Sequence, residues 1–396
     1  MKKGIFILLI LILFVSGCWD KRELNELAII VAIGIDKIDD EYLVSAQVAV
    51  PSELSSKGGG PGHSQVTLYK AKGPTVFEAI CQLTKSSPRI MYLGHLRMLI
   101  IGETLAREGI GDSLDFLARN WEVRWDFYVA IAKDSTAENI LNVQTPLENI
   151  PGAEMYFTLL NSDKTYANTL SVTLLELLRD LDRTGKQPVL TGVHIMGDPK
   201  SGSDKSNIDS IKPAAKIEFD GLAILHKDKL VGWLDEKDTK SFNSITNHIN
   251  KSVATISCPN KGKVNIEIQQ FNSKMKGKFK NGKPEVDINI LLKGNVGGVE
   301  CELDLNKEET LHALEKTFER EVKNAIEKTI NKVQKEVDVD IFGFGAAIYH
   351  DDPKGWKKVE KNWDEEFSDV KVKVTVNLDI QLIGAINNSF KEKIKD

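Results

Sequence analysis

The sequence predicts an α+β protein of three mixed domains, each a central β-sheet with surrounding helices. The last domain reads as an antiparallel sheet covered by one long helix. Three observations carry this. From Val370 to Leu382 apolar and polar residues alternate without a break, the pattern of a strand with one wet and one dry face. Between 306 and 337, Leu311, Leu314, Phe318, Val322, Ile326, Ile330, Val333 and Val337 recur every three or four positions, one stripe on a straight helix. Upstream, short β-branched runs alternate with segments of helical spacing in two blocks, 27–135 and 136–255.

The chain starts with the three parts of an export signal: Lys2 and Lys3, the apolar run Ile5 to Val15, then the small residues Ser16 and Gly17. As a helix that run spans roughly 16 Å, about half the hydrocarbon core of a bilayer, so it is too short for a permanent span. Val15-Ser16-Gly17-Cys18 fits the bacterial lipobox, in which the cysteine thiol takes a diacylglyceryl group and cleavage falls just before it. The alternative is an ordinary secretory signal that happens to contain a cysteine, but position, spacing and apolar run agree on lipid attachment. Each buried methylene of an acyl chain contributes about 0.8 kcal/mol, so two chains hold firmly. Residues 1–17 are thus the expected signal peptide and 18–26 the lipidated N-terminus and tether, holding a folded body at a membrane surface.

Removal of Lys2 and Lys3 moves the net charge from −5 to −7, which offers no basis for nucleic-acid binding and no polybasic patch for acidic lipids. With Cys18 acylated, Cys81, Cys258 and Cys301 remain, so at most one internal disulfide can form. Cys301 falls on the apolar side of an alternating run, and all three are expected as buried thiols.

In the first block, Ala28–Asp36 reads as a buried strand that can pair with Tyr42–Val50 across "KIDDE". Residues 55–63 ("SSKGGGPGH") read as a flexible loop without the lysine or helix of a phosphate site. Then follow strand Val66–Ala71, helix Pro74–Ser86, strand Leu96–Gly102, a short helix capped by Asp112, and strand Phe127–Ala132. The second block holds helices over Ala153–Asn161 and Ser171–Leu181, then a strand at 188–196. A polar flexible loop at 197–210, open to proteolysis, leads to a hairpin of Lys216–Leu225 and Lys229–Leu234 and a helix over Glu236–Ile249. In the third block, 256–396, Val264, Ile266 and Ile268 alternate up to a bulge at Gln269-Gln270, and Val286, Ile288, Ile290 and Leu292 alternate again. The long helix is expected over 307–336, capped by Asn306, lying on the dry face of the sheet. A coiled coil with a partner is the alternative use of its stripe.

Chemistry-bearing patterns are sparse. None of the seven histidines has a helical i, i+4 partner, and none neighbours a cysteine. "HDD" at 350–352 could take a cation, but it precedes Pro353 and Gly355 and reads as a turn. No nucleophile elbow or dinucleotide fingerprint is present. With 57 acids in 396 residues, paired carboxylates are expected by composition and mark nothing. "RNWEVRW", 119–125, is denser: Arg119, Trp121, Glu122 and Arg124 are the candidate protein contact, since Trp and Arg are favoured anchors. The competing reading is an internal salt bridge beside core indoles.

Taken in order, "SGCWDKRELNELAIIVAIGID" (16–36), "GHLRMLIIGETLAREGI" (94–110), "LDFLARNWEVR" (114–124), "GLAILHKDKLVGWLD" (221–235) and "DVDIFGFG" (338–345) resemble the Ger(x)C family, the C-subunit lipoproteins of bacterial spore germinant receptors. The resemblance spans nearly the whole mature chain. It implies a non-enzymatic lipoprotein on the outer face of the spore inner membrane, required for nutrient-triggered germination. It also implies a multi-spanning A subunit and a transporter-like B subunit as partners, and three mixed domains. Of functional residues it carries over Cys18 alone, with its covalent diacylglyceryl lipid; no other cofactor and no metal are expected. The alternative, a lipoprotein solute-binding protein of an importer, should show alternating βαβ units and a two-lobed cleft, which the expected long antiparallel C-terminal sheet opposes. A tethered hydrolase would need a metal or paired-acid site, and none stands out.

Overall fold

Strand β1 (Leu27–Ile38) is buried along almost all its length, so it needs strand partners on both edges and cover on both faces. The computed structural model, which describes residues 23–50, 64–258 and 261–384, supplies both. Cys18, the glycine-rich segment 55–63 and the last residues fall outside the described ones. β1 turns into β2 (Glu41–Ala49) through Asp39 and Asp40, both at positive φ, the two-residue geometry that matches strand twist. β3 (Val66–Gly73) pairs beyond β2.

Helix α1 (Val76–Leu83), capped by Thr75, leads to β4 (Ile90–Tyr92) and β5 (Met98–Gly102), both parallel to β1. Helices α2 (Glu103–Glu108) and α3 (Gly111–Arg119) follow; Ile110 holds the cap position of α3 and Asp112 sits inside its first turn, not at the cap as expected. After β6 (Tyr128–Ala132) come α4 (Ala137–Asn142), α5 (Pro151–Thr165) and α6 (Leu174–Leu181). α6 starts later than expected because Thr173 and Glu176 form a capping box there. Strands β7 (Val189–Gly197), β8 (Ala215–His226) and β9 (Lys229–Leu234) and helix α7 (Glu236–Ile245) complete this half, β8 and β9 forming the expected hairpin.

These strands make one mixed sheet in the order β3-β2-β1-β5-β6-β7-β8-β9, with β4 beside β1. β6 is buried on both faces and so takes a neighbour on each edge, β5 on one side and β7 on the other. Strands of the first and second blocks therefore share a single sheet across residue 135. The segment 197–210 is not the flexible loop its composition suggests. It holds two helical turns, Pro199–Gly202 and Ser206–Asp209. Buried Asn207 fixes them, donating to the carbonyls of Gln144 and Ala215 and accepting from the Ala215 N–H.

The second sheet is β10 (Ser252–Ser257), β11 (Lys263–Lys280), β12 (Lys283–Val299) and β13 (Lys371–Leu382). The first three are antiparallel, with the expected bulge at Gln269. β13, however, pairs parallel to β12, Val286 facing Val372 and Ile290 facing Val376. The expectation of an all-antiparallel sheet fails here for a topological reason. A helical crossover, α8 (Glu308–Lys332), α9 (Phe344–Asp351) and α10 (Trp363–Phe367), returns the chain to the end where β12 began.

The α+β class holds, and so does the long helix on the sheet. Leu314, Phe318, Ile326 and Ile330 of α8 are buried, continued by Val333 in the π-turn that ends the helix. Lys307, rather than Asn306, stands at its cap position. Glu319 and Glu315 reach past the stripe to accept the backbone N–H groups of Leu378 and Ile380 on β13. Those acceptors occupy an edge that would otherwise template another strand. One apolar core continues from the first sheet into the second, and a smaller one fills the opposite face of the first sheet beneath α4 and α5.

The cysteines also differ from expectation. Cys258 and Cys301 are joined in a disulfide, and Cys81 is exposed rather than buried. Val264 near the start of β11 lies between Ile256 and Val299, so the ends of β10 and β12 emerge beside each other there. Pairing across two strands thus places 258 and 301 together, which no local pattern encodes.

Candidate functional site

The segment between α3 and β6 carries the residues singled out from sequence. Its backbone is tied: the Asn120 side chain accepts the Glu122 N–H, and the Val123 N–H donates to the Asn120 carbonyl. Val123 and Phe127 point into the core, while Trp121 and Trp125, alternating with them, point out at 78% and 41% exposure. Arg119 and Arg124 stay at the surface, each paired at 2.8 Å with an acidic neighbour, Asp115 and Asp126. The reading of core indoles beside an internal salt bridge therefore fails. Trp121, Arg119 and Arg124 share an exposed segment, and Glu122 is half-buried beside them.

A second feature is buried. Within the crossover, between α8 and α9, Asp340 lies inside the core and accepts four N–H groups, from Gly343, Phe344, Gly345 and the Trp363 indole. Burial pushes its carboxyl up to about 6, against donors that favour the ionised form. The segment it organises meets the turn before β7. Gln187 donates to the Asp340 carbonyl, Ala346 donates to the Gly185 carbonyl, and Gly185 and Gly345 stand back to back. This joint ties the two sheets together. Its glycines sit within "DVDIFGFG" and "RTGKQP", where nothing local distinguishes a close approach from an ordinary turn.

A cleft of about 400 Å³ opens between α7, β10 and α8, floored by Ile268, Leu292, Phe318 and Ile326 and rimmed by Lys237 and Lys240. His350 and Asp351 form a close pair, Asp351 also accepts the Gly277 N–H, and Asp352 caps the turn Pro353–Trp356. The carboxylates of "HDD" thus hold backbone. Among the described residues no group of three or more His, Cys, Asp or Glu side chains is arranged around a metal-sized point. No described helix is long and apolar enough to cross a membrane.

The described residues thus place two sheets knit by a buried joint, a disulfide in the second, and an exposed Trp–Arg segment on the first. Residues 20–195 match the spore germination protein N-terminal domain, and 220–384 match the C-terminal domain described as spore germination B3/GerAC-like. Spore germination protein KC of Bacillus subtilis (strain 168) is 30% identical over 398 residues, covering 98% of both chains. Spore germination protein B3 of the same organism is 25% identical, covering 96% of this chain and 97% of that one. The crystal structure of the GerBC protein superposes with a TM-score of 0.57 at 21% identity, covering 88% and 96% of the two chains, which confirms the fold. The chain belongs to this family of spore germination proteins.

Proposed function

We propose that this chain is the lipid-tethered C subunit of a spore germinant receptor. Diacylglyceryl-Cys18 holds it on the outer face of the spore inner membrane, and it assembles there with membrane-spanning A and B subunits. It acts by binding and positioning rather than by catalysis. The observation that carries this reading is the end-to-end match at 30% identity to a germination protein, joined to the Val15–Cys18 lipobox at the start of the same chain. The disulfide supports an oxidising location outside the cytoplasm, where such bonds persist.

The experiment is expression of the full chain and its Cys18→Ala variant with a fatty-acid analogue, followed by co-purification of candidate A and B subunits from spore membranes. Label on the wild type only, with recovery of both subunits, is the expected result. Label that persists in the variant refutes lipid attachment at Cys18. A labelled wild type that recovers neither subunit refutes the assembly.

A further inference from the structure

Trp121 and Trp125 project from a tied backbone, and they do so just before β6, toward the end of the sheet at which β1 begins. β1, β5 and β6 run parallel, with Tyr128 level with Met98 and, through it, with Ala32, five residues into β1. β6 is the second neighbour of β1, roughly 10 Å from it at ordinary strand spacing. Trp125 precedes Tyr128, the first residue of β6, by three positions. Leu27, the first residue of β1, follows Cys18 by nine positions, a length of chain that spans at most about 30 Å. Ile90, itself 49% exposed, pairs with Leu27 at the same end.

The chemistry of the segment fits one kind of surface. Indole is apolar over its ring and polar at its N–H, and it favours the boundary between hydrocarbon and water. Arg119 and Arg124 are each matched by an aspartate, so the segment carries little net charge to recognise an acidic or basic protein face. Val123 and Phe127 anchor it in the core, so its indoles are presented without a folding step. We propose that Trp121 and Trp125 form a second membrane contact, seated at the headgroup level of the bilayer that holds the lipid on Cys18. The contact would fix the orientation of the molecule on its tether, turning the rest of the first sheet and the second sheet to a defined side. This inference rests on lipid attachment at Cys18.

The test uses the full lipidated chain in vesicles of phosphatidylcholine and phosphatidylglycerol with brominated acyl chains, in a Trp19→Phe background. Flotation of vesicles reports the tether, and quenching of indole fluorescence reports the segment. Of the three other indoles, Trp356 and Trp363 are buried and Trp233 is half-buried under Lys133, and all three remain in the double variant as its background. Flotation with quenching is expected. The quenching should be lost in the Trp121→Ser/Trp125→Ser variant, which still floats, and should persist in about 1 M salt, where screening acts within about 3 Å. Flotation without quenching overturns this inference and leaves the tether standing; failure to float overturns both. Unquenched indoles that become shielded from aqueous iodide when the membrane-spanning subunits are added would make the segment a protein contact, and the proposal false.

Discussion

Replacing Gly185 with alanine tests whether the joint between the two sheets is as tight as the structure draws it. Gly185 sits at φ +71°, and a Cβ there would stand 2.6 Å from the Gly345 carbonyl carbon and 2.7 Å from the Ala346 nitrogen. Ordinary Cβ contacts begin near 3.4 Å. The opposing segment must therefore retreat by most of an ångström, yet it is backbone, held by the hydrogen bonds that Asp340 accepts. Gly282 is the matched control. It has φ +80° in the Asn281-Gly282 turn between β11 and β12, with nothing within 4 Å of a built Cβ. Both substitutions carry the left-handed penalty, about 1–2 kcal/mol. Only Gly185→Ala adds overpacking, about 1–3 kcal/mol. Urea unfolding of the full chain, followed by circular dichroism, should place Gly185→Ala at about 2–5 kcal/mol of lost stability and Gly282→Ala at about 1–2. Equal losses in the two variants would show that the joint yields freely and would refute the argument.

Other consequences follow from the same packing. Phe318→Ala empties a buried site between α8 and the second sheet and should cost about 3–5 kcal/mol in the same assay. Lys323→Ala, whose exposed pair with Glu327 spans 3.7 Å, should stay within about 0.5 kcal/mol of wild type. Reducing the Cys258–Cys301 bond, which closes a span of 43 residues, should lower stability by about 4 kcal/mol on the chain-entropy scale, read as an earlier urea midpoint with reductant. Asp340 has a folded pKa raised from 3.8 to about 6, so its contribution is present in full below the unfolded value and lost as pH rises through about 6. Stability should fall by about 2 kcal/mol from this group between pH 4 and pH 7, and Asp340→Asn should remove that part of the slope. An unchanged slope in the variant would mean that the four N–H donors, not burial, govern the carboxyl.

Much of the secondary structure was legible because it is local. Strict alternation from Val370 to Leu382 and the stripe from Leu311 to Val337 each need only the period of their own backbone, and both elements formed. The pairing of two apolar runs across "KIDDE" and the bulge at Gln269 were marked in the same way, by a short polar break and a broken alternation. The lipobox is likewise a property of a few adjacent residues. Outside this class lie the direction of β13, the single sheet crossing residue 135, the disulfide, and Asn207 holding a polar stretch in place. A parallel and an antiparallel strand alternate alike, and a buried strand does not name its neighbours. The candidate site divided in the same manner. Composition drew attention to Arg119, Trp121, Glu122 and Arg124, but whether the indoles faced inward or outward depended on Val123 and Phe127 taking the core positions between them. That choice is made by the whole interior, where a fixed apolar volume is filled once, and only the assembled chain decides which residues fill it.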